Sequence, residues 1–200
     1  MLIAKKKEQE NIAEYILYLF QIEDVVRTFK FDLDVIMEVF VSPNLPDSSF
    51  KGQYRKWYQE IITEMKSAHL QKKGHLDRVM EIFRELAFLH NTLLTLEKES
   101  KYKSLCETAS SFIPEFRAKS GMKNNHDVEV IIHAMYMKLQ LRIRGKEITA
   151  ETEEAFDVMR IQVAFLATKF LEDREMYALF EEYNVALPVR AKLASVDDHK

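Results

Sequence analysis

Glycine and proline are rare in this chain of 200 residues, which contains four of each. An average protein contains about 12% of the two residues together. Because tight turns and strand corners depend on them, a fold of many short strands is disfavoured, and so is a glycine-rich phosphate-binding α/β fold. We therefore expect an all-α, single-domain bundle of six to seven helices, mostly antiparallel because their connections are short.

Apolar residues recur at intervals of three and four, the spacing that places them on one face of a helix. This pattern predicts helices over about residues 7–29, 33–41, 48–73, 76–96, 102–120, 125–143 and 149–170. Asp32 is expected to cap the second helix, Asp47 or Ser48 the third, Asn124 or Asn125 the sixth and Thr149 the seventh. Pro114 is expected to kink or split the fifth helix, because proline lacks an amide donor.

The seventh predicted helix is apolar around most of its circumference, which is typical of a central helix or of one with a partner on its far side. We expect a bundle domain over residues 1–172 and a tail over residues 173–200. Met176, Phe180 and Tyr183 in this tail are expected to lie on a short amphipathic helix. These three residues form a candidate interface.

Charge and cysteine content limit the setting of the protein. Its net charge of −3 provides no basic field for a phosphate backbone, so nucleic acid is not an expected partner. The longest run without a charged residue, residues 86–96, is too short to span a bilayer, so no membrane partner is expected. The single cysteine, Cys106, fits a reducing cytoplasm and is expected to be buried and inert.

Three polar residues fall on apolar stripes and are expected to face inward: Glu23, His90 and Arg142. An unpaired buried charge costs several kcal/mol, so these residues need partners. One hypothesis is a buried structural network in which Glu23 pairs with Arg142 and His90 is hydrogen-bonded nearby. The alternative is a polar pocket in which Arg142 binds an anion and Glu23 or His90 acts as a base. The neighbouring Arg27 is expected to be solvated or in an interhelical ion pair.

The positions of the histidines allow two metal-site hypotheses. His126, Glu129 and His133 share one helical face, but that face is turned away from the apolar stripe and is expected to meet solvent. His126-Asp127 is also the dipeptide of the helical HD-type phosphohydrolases, in which His90 and Asp157 would take the outer positions. The dipeptide is common by chance, and we expect no metal and no cofactor.

Five segments carry a family resemblance. They are Lys-Lys-Lys-Glu-Gln-Glu-Asn-Ile-Ala-Glu-Tyr-Ile-Leu-Tyr at residues 5–18, Gln-Ile-Glu-Asp at 21–24, Lys-Gly-His-Leu at 73–76, Phe-Arg-Ala-Lys-Ser-Gly at 116–121 and Leu-Arg-Ile-Arg-Gly-Lys-Glu-Ile-Thr-Ala-Glu-Thr at 141–152. Through them the chain resembles, over about residues 1–172, an uncharacterised all-helical family of bacterial (Bacteroidetes-type) proteins, a domain of unknown function. The resemblance implies helical architecture and a bacterial cytoplasmic setting, and it assigns no activity, ligand or catalytic residue.

The sequence therefore leaves two hypotheses for the function of this chain. The first is a non-catalytic cytoplasmic module that acts through self-association or a protein partner. It predicts an oligomer that dissociates when Phe180 and Tyr183 are replaced by serine. The alternative is a ligand-binding or hydrolytic bundle with a cavity of about 300 Å³ or more, lined by Glu23, His90 and Arg142.

Overall fold

The computed structural model describes residues 2–183, and this part of the chain is all-α, as expected. Its nine α-helices exceed the expected six to seven. They are α1 (Leu2–Glu10), α2 (Ile12–Thr28), α3 (Leu33–Val35), α4 (Lys51–Ser67), α5 (Asp77–Thr95), α6 (Ser100–Ala109), α7 (Ile113–Ser120), α8 (Asp127–Ile143) and α9 (Ala150–Tyr183). A π-helical turn, Ile36–Val41, continues α3.

The higher helix count comes from predicted helices that are divided. The first is interrupted at Asn11, which separates α1 from α2. The fifth is split into α6 and α7, and Pro114 lies in the first turn of α7. A proline is tolerated there because the amide it lacks would have no partner within the helix. The prediction that Pro114 kinks or splits this helix is confirmed.

Two of the four predicted caps are confirmed, and a third, Asp47, caps the 3-10 helical turn Ser48–Phe50 that leads into α4. The Asp32 carboxylate accepts from the backbone amides of Asp34 and Val35, and the Thr149 hydroxyl accepts from the amide of Thr152. The prediction for α8 is wrong, because the ring of His126 accepts from Val128 N at 3.2 Å.

Asn125 is engaged elsewhere. Its side-chain amide donates to Glu129 Oε2 at 2.6 Å, and its backbone carbonyl accepts from Arg117. This competition explains why the cap falls one residue later than the sequence suggests.

Close contacts divide the described chain into two compact units. The first contains residues 2–10 and 14–84, and the second contains residues 11–13 and 85–183. In the first unit the aromatic face of α4, formed by Tyr54, Trp57 and Tyr58, is buried. These three rings are therefore core residues of the first unit.

Helix α9 is the centre of the second unit. Helices α6 and α8 both pack on it, and α7 packs on α8. The buried side chains of α9 recur along its length: Phe156, Met159, Val163, Leu166 and Phe170. The helix continues without a break to Tyr183. The expected separate helix around Met176 is therefore the end of this long helix, and the remainder of the expected tail, residues 184–200, lies outside the described residues.

Candidate functional site

Glu23 is the most deeply buried charged residue among those described, with no exposed surface. Its carboxylate lies 2.7 Å from His75 Nδ1 and accepts from Leu76 N at 2.8 Å. Both partners lie in the loop between α4 and α5, and Leu76 is the last residue before α5 begins. The expectation that Glu23 faces inward is confirmed.

Arg27 extends this cluster by one helical turn. Its Nε donates to Leu70 O at 3.0 Å, and a terminal nitrogen donates to Gly74 O. The same guanidinium lies 3.7 Å from Glu23. Its side chain is 17% exposed, so the expectation of a solvated or interhelical pair is wrong. The pairing carboxylates, Glu23 and Asp24, lie on its own helix.

The conformation of the α4–α5 loop depends on Gly74 and His75. Gly74 has a φ of 95°, and a Cβ at this position would lie 2.8 Å from Leu70 Cδ2. The His75 ring stacks on Phe20 with the ring centroids 4.0 Å apart. We call Glu23, Arg27 and their partners in residues 70–76 the loop clamp, because two residues of α2 hold this loop through side-chain and backbone groups.

His90 begins a second buried polar cluster, in the second unit. Its Nδ1 lies 2.8 Å from the Tyr102 hydroxyl, and its ring centroid is 5.0 Å from that of His126. Burial, and to a smaller extent the neighbouring His126, lowers the pKa of His90 to about 4. His90 is therefore neutral at pH 7, and its Nδ1 can accept a hydrogen bond from the tyrosine.

Tyr102 connects His90 to Cys106 and Gln162. Burial raises the pKa of the Tyr102 hydroxyl and the pKa of the half-buried Cys106 thiol. Gln162 is 2% exposed and donates to Cys106 Sγ at 3.3 Å, while its Oε1 has no hydrogen-bond partner among the described residues. We call His90, Tyr102, Cys106 and Gln162 the buried polar line. At neutral pH the buried polar line therefore contains a neutral histidine, an un-ionised tyrosine and a protonated thiol.

Arg142 does not occupy the position that the apolar stripe predicted. Its side chain is 61% exposed and pairs with Glu153 at 3.3 Å. It also lies 16 residues along α8 from His126, which is about 24 Å at the rise of an α-helix. Because His126 neighbours His90, a single site cannot contain both His90 and Arg142. The expectation that these residues share one cluster is wrong.

The inward position near the end of α8 belongs to Lys138. Its side chain is 9% exposed, and its Nζ lies 2.5 Å from Glu153 and 3.2 Å from Asp157. The same ammonium lies 5.4 Å from the centroid of the Phe156 ring. Lys138 lies three residues after the buried Met135, a spacing that places both on one helical face, so the sequence pattern could have identified it.

The residues of the two metal-site hypotheses have other partners. His126 caps α8, and Glu129 accepts from Asn125. Asp127 pairs with Arg117, and Asp157 pairs with Lys138. Within residues 2–183 no three His, Cys, Asp or Glu side chains are grouped as a metal ion would require.

A shallow groove of about 200 Å³ lies along α7 and α8. Its lining combines apolar and polar side chains: Phe116, Ser120, Val130, His133, Ala134, Tyr136, Met137 and Gln140. We call it the α7–α8 groove. It is smaller than the 300–1,000 Å³ that is typical of small-molecule sites, and it contains none of the three residues expected to line a pocket.

The candidate interface lies at the end of α9. Met176 is half-buried there, and the neighbouring Leu179 is 55% exposed. Phe180 and Tyr183 belong to the same helix, but their side chains lie outside the described part of the structure.

A comparison with known protein families identifies the family of this chain. A family model described as "Domain of unknown function (DUF4924)" matches residues 1–176. The chain belongs to this family. The match covers the first unit of the DUF4924 chain and the second unit as far as residue 176, including the loop clamp, the buried polar line and most of α9.

No curated protein and no solved structure matches this DUF4924 chain. Among the helices within residues 2–183, none combines the length and the apolar character that crossing a membrane requires.

Proposed function

We propose that this DUF4924 protein is a non-catalytic binding module whose partner is another protein, and that it binds through residues 171–183, here called the α9 tip. The observation that carries this proposal is the length of α9 beyond Phe170, the last buried side chain among those that the structure describes on this helix. The helix continues for 13 residues, or about 20 Å, and none of the described side chains at positions 171–179 is buried.

The sequence of the α9 tip has the pattern of a helix that binds by one face. Met176, Leu179, Phe180 and Tyr183 are spaced at i, i+3, i+4 and i+7, which places them on one stripe. Short helices gain most of their stability from packing of such a face. A partner that covers the stripe would therefore remove apolar surface from water and stabilise the helix.

The charge of the α9 tip favours a basic partner. Five carboxylates and one arginine give the segment a net charge of −4: Glu172, Asp173, Glu175, Glu181 and Glu182 against Arg174. A second copy that paired through the same segment would bring like charges together, which is unfavourable. A basic amphipathic helix of another protein satisfies both the stripe and the charge.

The two polar clusters are consistent with a role without catalysis. The loop clamp uses its carboxylate and guanidinium on a histidine and on backbone groups of its own chain. In the buried polar line, the titratable groups are held in their neutral forms by burial. Both arrangements fix the positions of helices and loops.

The proposal is tested by binding of a labelled 16-residue peptide with leucines at i, i+3, i+4 and i+7 and lysines on both flanks. The full chain is titrated and fluorescence anisotropy is measured. We expect Leu179→Ser with Phe180→Ser to weaken binding at least tenfold, and Ala178→Ser, on the opposite side of the helix, to change it less than twofold. Binding should also weaken as salt is raised from 0.05 to 0.5 M.

Native mass spectrometry of the same untagged proteins gives the second measurement. We expect the wild-type chain to be a monomer at micromolar concentration. A stable dimer that the Leu179→Ser, Phe180→Ser variant dissociates would replace the heteromeric proposal with self-association. Peptide binding that this variant leaves unchanged would exclude the α9 tip as the binding surface.

A further inference from the structure

The apolar stripe of the α9 tip continues backwards along α9 onto a face that packs against α6. Phe165, Lys169 and Glu172 precede Met176 at intervals of four, three and four residues, so the four side chains share one face of the helix. The Tyr102 ring of α6 stacks on the Phe165 ring with the centroids 5.4 Å apart. The stripe of the α9 tip is therefore the continuation of a face that already binds a helix within this chain.

Helix α6 runs antiparallel to α9 and stops before the α9 tip. Tyr102 contacts Phe165, and four residues later Cys106 contacts Gln162, so the residue numbers rise along α6 as they fall along α9. The amino end of α6 therefore points towards the α9 tip. Because α6 begins two residues before Tyr102, this register places its start level with about residue 167 of α9. The α9 tip extends beyond that level.

The loop between α5 and α6 lies at this end of α6. Leu96 is 61% exposed, Glu97 is exposed, and Glu99 caps the first turn of α6. The loop is close to the base of the α9 tip, because Lys169 is influenced by its charges. The pKa of Lys169 is raised by the hydrogen bond to Glu172 and, to a smaller extent, by the charges of Glu99 and Glu97. An exposed leucine and two carboxylates therefore lie beside the start of the stripe.

We propose that the partner of the α9 tip is a basic helix that lies in line with α6, antiparallel to α9, and that its carboxyl-terminal end contacts Leu96 and Glu97. This inference rests on the proposed function, because it adds a second contact to the same binding site. The α5–α6 loop has the chemistry of the α9 tip, an exposed apolar side chain beside negative charge.

The direction of the partner helix follows from the helix dipoles. A helix that continues the line of α6 in the same direction turns its carboxyl end, which is partly negative, towards the partly positive amino end of α6. Lysines in the last turn of the partner are favoured by its own dipole and face Glu97. A helix of 16 residues is about 24 Å long, which covers the length of the α9 tip and reaches the loop.

Two labelled 16-residue peptides test the charge contact and the direction. Both have leucines at i, i+3, i+4 and i+7, and each has three lysines, one peptide in its carboxyl-terminal turn and the other in its amino-terminal turn. In anisotropy titrations of the full chain, Glu97→Lys should weaken binding of the first peptide at least fivefold and of the second less than twofold. Glu107→Lys is the matched control, because Glu107 is exposed on α6 and the change in charge is the same. It should change the binding of either peptide less than twofold.

The apolar contact is tested in the same titrations and by NMR. Leu96→Ser should weaken binding of both peptides at least threefold. Ile143→Ser is its control, because Ile143 is 69% exposed at the end of α8, and it should leave binding unchanged. Both variants should keep the urea midpoint of the wild-type chain, since both side chains are exposed. A nitroxide at the carboxyl end of the bound peptide should broaden the amide signal of Leu96, and a nitroxide at the amino end should not.

The possible outcomes distinguish the loop contact from the proposed function. If Leu179→Ser with Phe180→Ser weakens binding while Leu96→Ser and Glu97→Lys behave like their controls, the α9 tip binds the partner and the loop contact is excluded. Broadening of Leu96 by a nitroxide at the amino end of the peptide would overturn the direction. If neither peptide binds the wild-type chain, the proposed function and the loop contact are both wrong.

Discussion

Replacing Glu23 by alanine tests the loop clamp most directly. The substitution removes a carboxylate that has no exposed surface and that accepts from Leu76 N and contacts His75. It also removes the anion 3.7 Å from Arg27. The remaining groups stay buried or half-buried, and they lose a partner that water cannot readily replace.

The expected loss of stability follows from these contacts. A hydrogen bond to a charged group contributes about 1.5–3 kcal/mol, so two of them contribute about 3–6 kcal/mol. Removing one partner of a buried ion pair costs about 3–5 kcal/mol. We therefore expect Glu23→Ala to lower the free energy of unfolding by about 4 kcal/mol, which is a large part of the 5–15 kcal/mol of a typical domain.

Urea unfolding followed by circular dichroism measures this change, and limited proteolysis locates it. With a urea dependence of about 2.5 kcal/mol per molar, the midpoint should fall by about 1.5 M. Trypsin should also cut faster after Lys72 and Lys73, because the clamp holds the backbone on both sides of these residues. Glu14→Ala is the matched control, since Glu14 is on the same helix in an exposed pair with Lys7. Such pairs contribute less than about 1 kcal/mol.

The reasoning would be refuted if Glu23→Ala and Glu14→Ala shifted the urea midpoint equally. It would also be refuted if His75→Ala and Glu23→Ala had additive effects in a double-mutant cycle. Residues that contact each other in one network show coupling of about 0.5–3 kcal/mol.

Three further predictions concern the second unit. Because the pKa of His90 is about 4 in the folded chain and 6.5 ordinarily, the unfolded chain takes up its proton first as the pH falls. About 3 kcal/mol of stability should therefore be lost between pH 6.5 and 4, and His90→Gln should remove this dependence in urea titrations at several pH values. Lys138 lowers the pKa of Glu153 and of Asp157 by hydrogen bonding. Lys138→Met should therefore raise both pKa values, which a carboxyl 13C NMR titration measures, and it should reduce the stability that is lost as the pH falls from 5 to 3. Burial raises the pKa of Cys106, so its reaction with a disulfide reagent at pH 8 should be slower in the folded chain than in urea.

The features that sequence predicted correctly depend on groups a few residues apart. The caps at Asp32 and Thr149 act on amides two or three residues ahead. The division at Pro114 follows from the missing amide of proline itself. The predicted cap of α8 is wrong because Asn125 forms hydrogen bonds with Glu129 and Arg117 instead. The sequence does not show which of these competing hydrogen bonds is the stronger.

Burial of polar residues could be predicted, but their partners could not. Glu23 and His90 lie on apolar stripes and are buried as expected. The partner of Glu23, His75, is 52 residues away in a loop without periodicity. At the end of α8, the stripe passes through Lys138 before Arg142, and the nearer residue takes the inward position. The inward position on α8 therefore lies one helical turn before Arg142.

The loop clamp gives Glu23 and Arg27 a common physical role. The first backbone amides of a helix, and the backbone carbonyls just beyond the end of a helix, have no hydrogen-bond partner within that helix. Glu23 accepts the amide of Leu76, next to the start of α5, where negative charge is favoured. Arg27, one turn later, donates to the carbonyls of Leu70 and Gly74 beyond the end of α4. A Glu and an Arg at i and i+4 on a buried stripe can therefore bind both the free amides and the free carbonyls of a loop between two other helices. In a sequence, such a pair indicates contact with a helix–helix connection as readily as it indicates a catalytic pocket.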